Sequence, residues 1–151
     1  MRDIEFRGYN TDYEEMTWFD EGYYNYTFPN VQMLQRDFDE HCGSGELWYW
    51  EDVTENMILM QYTGLKDLNN KKIYEGDIIY FSYDIFNRNF DTLCAKGIVV
   101  FEEGAFWVKP YEIENKKVNS EEEEWNLLYY INQDDIEVIG NIYENKELLE
   151  E

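Results

Sequence analysis

The chain has 151 residues with 12 basic and 34 acidic side chains, a formal net charge of −22, and 5 Trp, 14 Tyr and 9 Phe. That length fits one domain, or one domain with an appendage, and folding buries about 70% of the unfolded chain's surface, so a core forms without metal or disulfide support. The aromatic content excludes a disordered chain, and the acidity disfavours direct binding to nucleic acid or an anionic membrane, which require a basic footprint.

In chain order, Ile4 to Tyr9 alternates apolar and polar residues and reads as a short strand. Residues 10–26 are acidic and aromatic without a clear period, a mixture of strand and loop. Pro29 suits a first helical turn, and Val31, Leu34 and Phe38 follow at spacings of three and four, which predicts a short amphipathic helix to about Glu40, ended by Gly43 and Gly45. Glu46 to Glu51 is an aromatic cluster that reads as a strand or a docking patch.

Met57 to Tyr62 is an apolar run closed by Thr63-Gly64 and reads as a buried strand. Leu65 to Lys72 has the polarity of a turn, where Asn69 and Asn70 suit the left-handed conformation. From Asp77 to Tyr83 both alternating sets are apolar or aromatic, which predicts a strand covered on both faces. Ala95–Phe101 and Ala105–Lys109, linked by Glu102-Glu103-Gly104, read as a hairpin. Trp125–Ile131 and Ile136–Tyr143 read as further strands, and Glu144–Leu149 as a terminal helical turn. About six short strands and one helix, with no internal repeat, match a small barrel better than a sandwich or an α/β sheet.

Three ordered segments, Leu59–Asp67 (LMQYTGLKD), Ile73–Ile79 (IYEGDII) and Val138–Asn145 (VIGNIYEN), with Arg2, Ile4, Phe6 and Arg7 near the start, resemble the YopX family of phage and prophage proteins. The resemblance implies an SH3-like β-barrel and a bacteriophage or prophage source, and implies no activity. The chain departs from the family pattern at Asn69-Asn70, where Asn-Gly is common, and at Lys146, where proline is common. Residues 10–55 and the run Glu121 to Glu124 lie outside it. The expected fold is therefore mainly β: an acidic, aromatic-rich N-terminal α/β extension over 1–55 carrying one short helix, then an SH3-like barrel over 56–151 with an acidic loop near 118–125. Gly64, Gly76 and Gly140 lie in or beside apolar runs, where a barrel bends or backbones approach, and Asp77 suits fixing the turn before a strand.

Candidate chemistry is sparse. His41-Cys42 lacks the geometry of a nucleophile and base, because neighbours on a helix point apart. Glu102-Glu103, Asp134-Asp135 and the pair Glu75 and Asp77 are carboxylates of a kind that binds divalent ions or ligands, yet turn carboxylates are common in an acidic chain. Cys42 and Cys94 form no metal-binding spacing or disulfide framework, which fits a reducing cytoplasm, and no apolar signal core or membrane-length run is present. The sequon at Asn25 is not expected to be glycosylated without a leader. Phosphate-loop, dinucleotide, nucleophile-elbow and zinc-protease motifs are absent, so no enzymatic activity and no cofactor are expected.

The charge suggests a role instead. Residues 1–55 carry 3 basic and 14 acidic residues, 56–120 carry 8 and 9, and 121–151 carry 1 and 11, so the negative charge lies outside the central motifs. The expectation is a non-enzymatic accessory protein in a bacterial host cytoplasm. It would bind a host or phage protein through an acidic surface that includes Glu121, Glu122, Glu123, Glu124, Trp48 and Trp50, in one form by imitating DNA. The alternatives are a self-associating structural module and, less favoured, a small metal-dependent hydrolase.

Overall fold

Antiparallel strands account for nearly all of the architecture seen in a computed structural model, which describes residues 5–18, 24–27, 32–39, 47–52, 54–84, 92–114, 116–117, 125–126 and 131–150. At 24–27, 32–39, 47–52, 83–84, 92–93, 116–117, 125–126 and 133 the description is of the backbone alone. The strands are β1 (Phe6–Asn10), β2 (Glu15–Trp18), β3 (Tyr24–Thr27), β4 (Gln32–Asp39), β5 (Leu47–Asp52), β6 (Met57–Lys66) and β7 (Lys72–Tyr74). They continue with β8 (Asp77–Asp84), β9 (Thr92–Glu102), β10 (Ala105–Ile113), β11 (Lys116–Lys117), β12 (Trp125–Asn126) and β13 (Ile136–Asn141). Single 3-10 turns lie at Thr54–Asn56 and Gln133–Asp135, and one helical turn, α1, at Glu147–Glu150. Two units divide the chain: Phe6–Leu59, and Met1–Glu5 together with Met60–Glu151.

In the Phe6–Leu59 unit, β1 and β2 form a hairpin in which Arg7 lies opposite Trp18 and Tyr9 opposite Met16. Its turn is held by Asn10, whose Oδ1 accepts the amides of Asp12 at 2.9 Å and Tyr13 at 3.2 Å, an Asx turn that leaves Glu14 at φ 54°. The second sheet has the order β3-β4-β5. Its central strand corrects the helix expected to follow Pro29. Gln32–Asp39 is extended and paired on both sides, with Leu34 opposite Asn25 and Asp52. The spacing of four between Leu34 and Phe38 is even, so it fits a period of two as well as one of 3.6, and pairing with two neighbouring strands decides between them. The described residues of the extension hold no α-helix, and the helix expected in it is a strand.

In the other unit, the principal sheet runs β11-β10-β9-β8-β13, with β12 also paired to β10, and curls into a half-barrel. The β9–β10 hairpin expected from the sequence is present, with Glu103 at φ 50° and Gly104 at φ 80° between the paired residues Glu102 and Ala105. Two left-handed residues give the turn whose twist matches that of its strands. The core is built by alternate residues: Ile79 and Phe81 of β8, Ala95 and Val99 of β9, Phe106 and Val108 of β10, and Ile136 and Val138 of β13, joined by Leu65, Ile73 and Ile131. Strand β8 is buried from Ile78 to Ile79 and again at Phe81, so both of its faces are largely covered, as its composition requires. The register of β10 shifts between Pro110 and Glu112, next to a residue that has no N–H to donate.

The remaining connections are polar. Asp67, in the β6–β7 turn, is buried, and its Oδ1 accepts the amides of Asn69 and Lys71, each at 2.8 Å. Its Oδ2 accepts the Val138 amide at 3.1 Å, and the Leu68 amide donates to the Ile136 carbonyl at 2.9 Å. The free side of β13, an end strand of its sheet, is thereby satisfied by a turn rather than by another strand. Asn70 takes the left-handed conformation at φ 63°, as its position predicts.

The β7–β8 turn is a second junction. Gly76, at φ 79°, donates to the Val99 carbonyl at 2.8 Å and accepts the Ile142 amide at 3.0 Å. Asp77 accepts the Tyr74 amide at 2.8 Å, the turn-fixing bond expected of it. Gly140 serves close approach instead: a β-carbon there would lie 2.7 Å from Asn145 Oδ1 and 2.9 Å from Leu148 Cδ1.

Candidate functional site

The partner-binding residues expected from the sequence are placed only in part. Trp48 and Trp50 lie on β5, opposite Phe38 and Arg36 of β4. Glu121, Glu122, Glu123 and Glu124 lie outside the described residues, as do His41 and Cys42. Among the described residues no three of the His, Cys, Asp and Glu side chains are grouped to hold a metal ion. Glu102 is paired with Lys109 at 2.5 Å and exposed, and Asp134 and Asp135 are exposed on a 3-10 turn. Glu75 and Asp77 are not joined as a ligand pair: Asp77 is buried on the Tyr74 amide, while the Glu75 carboxyl is bonded by the backbone amides of Gln61 and Phe101. Burial pushes the Glu75 carboxyl above its ordinary value, and those two amides work against the shift.

A cluster that the sequence does not announce brings Glu5 to β7. The Glu5 carboxylate accepts Lys72 Nζ at 2.5 Å and the Tyr74 hydroxyl at 2.6 Å, while its carbonyl accepts the Tyr62 amide at 2.8 Å. Lys72 Nζ lies 5.5 Å from the centre of the Tyr62 ring, and the Tyr62 and Tyr74 rings are 5.5 Å apart. The hydrogen bond from Lys72 and then that from Tyr74 hold the Glu5 carboxyl below its ordinary value. Opposite charges satisfied in this way clasp residue 5 onto the strand. The available signal was the alternation of Lys72 and Tyr74, which puts them on one face of a strand.

Apolar exposure is the other feature. Tyr13, Trp18 and Ile58 are exposed in the Phe6–Leu59 unit, and Leu68, Tyr80 and Phe101 in the other. The Tyr80 hydroxyl is hydrogen-bonded with the half-buried Cys94, a contact that raises the phenol's pKa. No helix among the described residues is long and apolar enough to cross a membrane.

The segments Leu59–Asp67, Ile73–Ile79 and Val138–Asn145 thus form the two polar junctions and the strands between them. Residues 5–150, nearly the whole chain, match the family model described as YopX protein. The chain belongs to the YopX family. The fold of this YopX-family chain is similar to that in the crystal structure of protein EF1440 from Enterococcus faecalis, with a TM-score of 0.53, 24% sequence identity and 99% of each chain covered. No curated protein matches the chain.

Proposed function

We propose that this YopX-family protein is a non-enzymatic accessory protein of a phage or prophage. In this reading it acts in the bacterial cytoplasm and binds a host or phage protein through an acidic surface, and the unit built on Met60–Glu151 is a small SH3-like barrel that serves as scaffold. The observation that carries this is the separation of charge from architecture: residues 56–120 carry 8 basic and 9 acidic residues, whereas 121–151 carry 1 and 11. Toward the C-terminus Asp134, Asp135, Glu137, Glu144, Glu147 and Glu150 are all exposed. Exposed carboxylates in net excess raise the encounter rate with a basic partner and repel an acidic one. In its sharper form the carboxylates imitate DNA phosphates.

Affinity capture from bacterial lysate at low and moderate salt tests the proposal. A partner held in stoichiometric amount at low salt is expected, and it should be released when Glu121, Glu122, Glu123 and Glu124 are all changed to Gln. If no partner is held, or if the four substitutions leave capture unchanged, the acidic-surface reading fails. Competition by duplex DNA separates DNA imitation from general charge attraction.

A further inference from the structure

We draw no further inference here: the strongest candidate, the patch on the face of β8 and β9 turned from the core, where the exposed Tyr80 lies opposite Lys96 and its hydroxyl is hydrogen-bonded with the Cys94 thiol, rests on a lone half-buried cysteine, and nothing in the structure shows what ligand or partner covers it.

Discussion

Asp67 Oδ2 accepts the amide of Val138 at 3.1 Å across 71 residues of sequence. The same carboxylate holds its own turn through Asn69 and Lys71. One side chain therefore both shapes the β6–β7 turn and occupies the free side of the last strand, where another strand would otherwise be needed.

Removing that carboxylate should be costly, because three amides lose an acceptor in a buried place. Asp67→Ala is expected to destabilise the protein by about 3 kcal/mol or more, and Asp67→Asn by somewhat less, since its one amide oxygen still accepts on one side while its NH2 opposes an amide donor on the other. Urea unfolding followed by fluorescence measures both. Equal stability of wild type and Asp67→Ala would show that the bond to Val138 contributes nothing.

Gly97 is a site of close approach between strands. A β-carbon there would lie 2.6 Å from Val108 Cγ1 and 3.0 Å from the Lys109 carbonyl oxygen, opposite Pro110 at the register shift of β10. Backbone on the far side leaves little room to yield, so Gly97→Ala should destabilise by about 3 kcal/mol, the upper part of the usual overpacking range. Thermal unfolding of the single variant checks it, and an unchanged midpoint would contradict the packing described.

Two carboxyls should respond to pH with opposite signs. The folded state holds the Glu75 proton above the ordinary value of 4.5, mainly through burial. The unfolded chain therefore releases that proton first, and stability falls as pH rises from about the ordinary value through the raised folded one. Glu75→Gln should accordingly gain on the wild type as pH rises to neutrality and lose the gain in acid. Glu5 is held below 4.5, first by its hydrogen bond with Lys72. Its contribution is complete above the unfolded value and lost as pH falls through the lowered one, and because the pair is half-exposed Glu5→Gln should cost less than about 1 kcal/mol near neutrality. Denaturant midpoints of the three proteins from acid to neutral pH give the test, in which parallel profiles would refute both assignments.

The division of the chain predicts a viable shortened form. The Tyr62 amide bonds the Glu5 carbonyl at 2.8 Å, so the points where Phe6–Leu59 leaves and returns are close. Replacing Phe6–Leu59 with Asn-Gly leaves a four-residue connection between Glu5 and Tyr62, a common hairpin length. The shortened chain is expected to give strand circular dichroism, dispersed amide resonances and a cooperative melt. A spectrum without dispersion would show that the unit built on Met60–Glu151 does not fold alone.

Much of the second unit was legible because its signals are local. Glu102-Glu103-Gly104 marks a tight turn between two apolar alternations, Asn70 suits a left-handed residue, and the dense apolar run from Ile78 to Phe81 marks a strand covered on both faces. The helix expected through Leu34 and Phe38 failed because a spacing of four serves two periodicities, and only the pairing of Gln32–Asp39 with strands on both sides distinguishes them. The neighbourhood of the buried Tyr9 was equally hidden: Met16 and Ile58 are forty-two residues apart, and strand register sets them on either side of it.

By itself the sequence determined a mainly β chain of the YopX type, the turns or close approaches at Gly64, Gly76 and Gly140, and an acidity concentrated outside the central motifs. Only the tertiary structure decided that β4 is a strand, that Asp67 seals β13, and that Glu5 is clasped by Lys72 and Tyr74. The reason is that turn chemistry and periodicity are properties of neighbours along the chain, whereas strand partners and buried carboxylate contacts depend on residues brought together from tens of positions away.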